Sequence, residues 1–145
     1  MAVKVKKIML WRCEVENAPG MLANALEPLA KAGVDLQGVM GYRFPGESTR
    51  AAIEVYPIVS KKTMAAARSA GLSASSIPTL LVEGDNRPGL GHTIAKAISD
   101  AGINLSFLVA QVVGRKYSSV FGFEREEDAR KAATLIKRAT AARKK

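Results

Sequence analysis

The chain has 145 residues, 48% of them hydrophobic, enough for one domain or two small ones, and no stretch approaches the roughly 20 apolar residues that a membrane helix needs. Its net charge is +9, but seven basic residues and no acidic one fall between Arg130 and the C-terminus, so the rest of the chain is close to neutral. One cysteine, Cys13, excludes an internal disulfide, and with a single histidine, His92, no Cys/His zinc cluster can form.

In chain order, residues 8–15 are apolar-rich and predict a strand that ends at Asn17-Ala18-Pro19-Gly20. Cys13 falls within it and is expected as a core thiol. Pro19 suits the first position of a helix, where its missing N–H is not needed. Met21, Leu22, Ala25, Leu26 and Leu29 then recur at helical spacing, and Gly33 is a natural stop. Pro28 lies inside this helix and should kink it or shorten its last turn. Residues 36–42 and 49–56 predict two strands that pair across a turn at 44–48. A short alanine-rich helix follows at 61–70, and 72–78 has the composition of a linker. The order then repeats: a strand at 79–83, a helix at 88–101, strands at 105–113 and 117–123, and a last helix at 126–138. Glu126, Glu127 and Asp128 open that helix, where its dipole favours acids.

The repeat is in register. Asn17, Pro19 and Gly20 recur 69 residues later as Asn86, Pro88 and Gly89; Ala32-Gly33 and Leu36 recur as Ala101-Gly102 and Leu105. The chain therefore reads as two copies of one unit: a first module at 1–72, a linker at 73–78, a second module at 79–138 and a basic tail at 139–145. Each copy is strand-helix-strand-strand-helix, most of a ferredoxin-like βαββαβ unit in the α+β class. The fourth strand is short in the first copy, around 72–77. In the second copy nothing apolar remains to make it, and the N-terminal Val3-Lys4-Val5 is the segment free to fill that place. Modules this small pack on each other or on a second chain. The expected arrangement is a shared antiparallel sheet with helices on one face, whose exposed edges favour a homodimer. The N-terminal lysines lack an apolar run and cleavage site behind them, so a cytoplasmic protein is expected.

The two turns are the candidate sites. Gly20 and Gly89 allow a ligand close to the backbone. The helix start beyond each presents free N–H groups and a positive dipole end to a carboxylate, and Asn17 or Asn86 offers an oxygen to an ammonium group. An amino acid carries both groups on one carbon. The plainer alternative is that each asparagine closes an Asx turn and Pro-Gly only starts a helix.

Strand, Asn-x-Pro-Gly turn, helix and Ala-Gly-[Val/Ile]-[Asp/Asn]-Leu, found twice, resemble the ACT-domain family of amino-acid-binding regulatory modules. The resemblance spans nearly the whole chain and is strongest at 83–90 and 101–105. It implies βαββαβ modules joined edge to edge, with a small ligand bound between them. By this resemblance the ligand-binding residues are Asn86, Arg87, Gly89, Leu90 and Asn104 in the second copy, and Asn17, Ala18, Gly20 and Met21 in the first. Serine-binding members carry asparagine at the positions of Asn86 and Asn104, but histidine where this chain has Gly84. The second copy is the closer match, since the first has Asp35 in place of the second asparagine.

No catalytic constellation accompanies these turns. Gly89-Leu90-Gly91 follows a strand, but Ile94 stands where a dinucleotide fingerprint needs a third small residue. No serine has a histidine partner in view, and His92 reads as a surface residue. The expectation is a non-catalytic sensor without cofactor or metal, acting on a separate regulated protein. The alternative is a nucleic-acid-binding protein: Phe121 and Phe123 share a strand face as in RNA-recognition motifs and could stack bases beside the basic tail. Against it, Ser118 and Ser119 stand where that motif has a basic residue and glycine, so buried core phenylalanines and no nucleic-acid partner are expected.

Overall fold

The computed structural model describes residues 3–141. In order the elements are β1 (Lys4–Ile8), β2 (Trp11–Glu16), α1 (Met21–Lys31), β3 (Gly38–Arg43), β4 (Arg50–Tyr56), α2 (Lys61–Ser69), β5 (Ser73–Ala74), β6 (Thr79–Asp85), α3 (Leu90–Asp100), β7 (Leu105–Val113), β8 (Lys116–Phe123) and α4 (Glu126–Ala141). The chain forms two compact units. One is Met9–Ser76; the other combines β1 with the chain from Ile77 onward.

The strands of the first unit lie in the order β3-β4-β2-β5 and those of the second in the order β1-β6-β8-β7, every pairing antiparallel. Numbered within each module, both orders are the same ferredoxin-like arrangement, so the expected α+β pair of βαββαβ modules is present. The backbone ladders make two four-stranded sheets, one per module, where the sequence predicted a single shared sheet.

The fourth strands come from the two places the sequence left for them. In the first module β5 supplies two residues, Ala74 opposite Trp11 and Ser73 opposite Arg12. In the second, β1 pairs along β6 from Lys4 opposite Glu83 to Ile8 opposite Thr79. The N-terminal segment, within the 1–72 span of the first module but offered from sequence for the second module's missing strand, thus completes the second. The predicted strand at 8–15 is in fact two elements that break at Met9 and Leu10 and run into different sheets. Residues 73–74, read as linker, are strand. The basic tail is α4 as far as Ala141, and the rest of it lies outside the described residues.

The repeat is preserved in backbone detail. α1 and α3 each contain 11 residues, begin 69 residues apart, and are preceded by Gly20 and Gly89 with φ of 88° and 83°. Only glycine adopts that left-handed conformation without a Cβ clash. It also displaces the prolines: Pro19 and Pro88 sit two residues ahead of the helices, not at their first positions. Pro28 does not shorten α1, which continues to Lys31.

Each sheet buries one face under its helices. In the first module Trp11, Ile53 and Val55 pack against Ala25 and Leu29 of α1 and Ala67 of α2, with Cys13 half-buried beside them. Burial raises the Cys13 thiol above its ordinary value. In the second, Leu80, Val82, Phe121 and Phe123 pack against Ile94 and Ile98 of α3 and Ala132 and Ile136 of α4. Among the described residues no helix is long and apolar enough to cross a membrane.

Candidate functional site

A cavity of about 310 Å³ opens in the first module, between the start of α1 and the sheet. Strand alternation places Val15, Gly41, Arg43, Ala51 and Ile53 on the sheet face that α1 covers, since Val15 and Ile53 join its core. Asn17, Ala18, Met21 and Leu22 close the cavity from the turn and the first turn of α1. Three of the four residues predicted in this copy therefore meet at one cavity; Gly20 supplies the αL turn behind them.

The turn is fastened to the hairpin loop. Asn17 N–H donates to Thr49 O at 2.9 Å, and Asn17 Nδ2 donates to Ser48 O at 2.9 Å. Asn17 thus closes local structure with its nitrogens and keeps Oδ1 as an acceptor. Beside it, Glu16 ends β2 and Arg43 ends β3. The two strands run in the same direction, each antiparallel to β4, so both charges lie at one end of the sheet, Arg43 on the face that α1 covers and Glu16, in step with Glu14, on the other. Among the described residues neither Glu16 nor Arg43 forms an ion pair or side-chain hydrogen bond. Other charged side chains of the same strands are paired: Glu14 binds Arg12 and Arg50 at 3.1 and 3.0 Å.

Tyr42 is held from the opposite sheet face. Its hydroxyl donates to Glu54 Oε2 at 2.8 Å, and Arg12 Nε stands 3.8 Å from that oxygen. Glu54 is only 2% exposed. Burial, then the bond to Glu54, raises the Tyr42 phenol above its ordinary value.

The second turn is built differently. Asn86 N–H donates to Arg115 O at 2.8 Å. Leu90 is buried in the core, whereas its counterpart Met21 is half-exposed, and Arg87, with buried Nε and Nη2, replaces Ala18. Asn104 is exposed at the far end of α3. A larger cavity of about 420 Å³ in this module is lined by Lys4, Glu83, Gly84, Asp85, Lys116, Tyr117 and Ser118, and by none of Asn86, Arg87, Gly89, Leu90 and Asn104.

Glu16, Leu22, Gly41, Tyr42 and Arg43 were not singled out from sequence. A signal for two of them was there. At the repeat offset, Gly41 and Arg43 correspond to Ala110 and Val112, so only the first copy has a glycine and a charge at these two positions.

Phe121 and Phe123 are each 1% exposed, with rings 6.5 Å apart inside the core. The base-stacking surface of the nucleic-acid alternative is therefore not available. His92 is exposed on α3. No group of three or more His, Cys, Asp or Glu suited to a metal occurs among the described residues.

No protein-family model matches the chain, and no curated protein matches it in sequence. Solved structures do match. A protein from Bacteroides thetaiotaomicron superposes with a TM-score of 0.72 at 14% identity, over 90% of this chain and 88% of that one. The ligand-free regulatory subunit of aspartate kinase from Thermus thermophilus gives 0.64 at 17% identity, over 96% and 97%. A structure of aspartokinase α and β subunits gives 0.61 at 16%, over 96% and 97%. At these identities the likeness is one of fold, and it covers both modules.

Proposed function

We propose that this chain, two tandem modules of the ACT-domain fold, is a non-catalytic regulatory protein that binds a free amino acid at the turn of its first module. The observation that carries this reading is Arg43, a cation with no ion pair or side-chain hydrogen bond among the described residues, on the α1-covered face of the sheet at a 310 Å³ cavity that Asn17 and the start of α1 close. A free amino acid is a zwitterion. Arg43 and the N–H groups opening α1 suit its carboxylate, while Asn17 Oδ1 suits its ammonium group. The cavity volume stands at the lower end of the range for small-molecule sites, which fits a ligand of this size. Regulatory subunits of aspartate kinase share the fold over nearly their whole length, in keeping with a regulatory role. The second turn, with Arg87 and a buried Leu90, serves packing in this reading, and Asn86 and Asn104 form no working site.

Calorimetric titration with the twenty amino acids tests it. One or more should bind, with the affinity reduced about tenfold or more by Arg43→Ala, and unchanged by Asn86→Ala. A ligand whose affinity ignores Arg43 but depends on Asn86 would move the site to the second module.

A further inference from the structure

We propose that the ligand of this cavity is an amino acid with an aliphatic side chain, and that Gly41 is the residue that makes room for it. This rests on the amino-acid reading of the site and names the class of ligand within it.

Gly41 lies in the middle of β3, where glycine weakens a strand and needs a reason. Two other strand glycines have one. A Cβ at Gly38 would collide with the Tyr56 ring, and a Cβ at Gly122 with the Phe107 ring. At Gly41 an added Cβ would meet nothing within 4 Å. The space above it is open, and it belongs to the cavity.

The cavity is also graded in polarity. Gly41 shares a rung with Ile53 and Cys13, while Arg43 shares one with Ala51 and Val15. The two rungs are two residues apart, about 6.6 Å along the strand. Charge therefore stands at the strand ends, with Arg43 and the start of α1. Apolar surface lies inward, at Ile53 and bare Gly41, with Met21 and Leu22 across from the sheet. A zwitterionic head held at the charged end directs its side chain over Gly41. No charged or hydroxyl group lines that floor, so an acidic, basic or strongly polar side chain would be stripped of water without a partner, whereas a leucine- or methionine-sized chain gains burial.

The test is titration of the full chain with leucine, isoleucine, valine and methionine, and with aspartate, lysine and serine as polar counterparts. The aliphatic set should bind, the polar set at least tenfold more weakly. Gly41→Val should abolish aliphatic binding while leaving the melting temperature equal or higher, because its side chain fills space the ligand would occupy. Leu22→Lys, on a half-exposed wall residue, serves as a second variant should valine disturb the strand, and it should weaken the aliphatic set selectively. Aspartate or lysine binding best, with the same dependence on Arg43, would overturn the ligand class and leave the site standing. Wild-type leucine affinity in both variants would overturn the role of the floor. Binding of no amino acid would overturn this inference together with the proposed function.

Discussion

Val3 lies against the bare backbone of Gly84: a Cβ added at Gly84 would sit 3.1 Å from both Val3 Cα and Val3 Cγ1. A histidine at this position would compete with β1 for the same space. Gly84→His should destabilise the second module by about 1–3 kcal/mol, the range for overpacking, and removal of residues 1–8 should cost more. Urea unfolding would show both. If Gly84→His matches the parent in midpoint and slope, β1 is not seated on β6 as described.

The buried Glu54 carboxylate relies on Tyr42 and Arg12. Tyr42→Phe keeps the ring but removes the donor, and should cost about 1–3 kcal/mol. Val120 occupies the corresponding β8 position in the second module, facing Val109 across the ladder. Combining Tyr42→Phe with Glu54→Val should therefore recover most of that loss, since an apolar pair leaves no stranded charge. A double-mutant cycle read by chemical denaturation decides it; simple additivity would deny the coupling.

Two exposed carboxyls should shape the acid limb of stability. Hydrogen bonds from Arg50 and then Arg12 hold Glu14 below its ordinary 4.5, and Lys116 holds Asp85 below its ordinary 3.8. A carboxyl with a depressed native pKa stabilises the fold above its unfolded pKa, and that contribution is lost as pH falls through the native value. The urea midpoint should hold from neutrality to about pH 4.5 and decline below it. Arg50→Gln and Lys116→Gln should make the decline shallower, by a small amount for pairs this exposed. A steeper decline in either variant would contradict the assignment.

The homodimer expected from sequence has a candidate seam. β7 is the edge of its sheet, nine residues without a charge, and Leu108, Val109, Val112 and Val113 are 43–67% exposed. Exposed apolar edges invite pairing with another strand. Light scattering should give twice the chain mass for the parent protein, and the monomer mass for Val109→Lys combined with Val113→Lys. A monomeric parent would remove the dimer from the reading.

The modules were legible in sequence because their signals are local. The Pro-Gly turn, the helical spacing of Met21 to Leu29 and the Gly33 stop each act within a few residues, and each recurs at a fixed offset. The break at Met9 and Leu10 gave no such signal. Residues 8–11 are an unbroken apolar run across that break, and which sheet a strand joins depends on distant partners. The site was half legible. Asn17, Ala18 and Met21 follow from the turn, but Arg43 and Gly41 reach it only through β-ladder register. The second turn drew attention through its two asparagines; the cavity instead depends on the smaller Ala18 and the half-exposed Met21.

The strand β1 has a consequence for how the protein is made. Its partner residues on β6 lie 71 to 79 positions further along the chain, from Ile8–Thr79 to Lys4–Glu83. At about 5–20 residues per second on the ribosome, β1 leaves the tunnel roughly 4–16 seconds before its docking edge does. During that interval all of β2 to β5 emerges and can close into its own sheet. The first module thus matures as an insertion between two parts of the second. The lysines at positions 4, 6 and 7 give the waiting strand a like-charged stretch that discourages premature pairing.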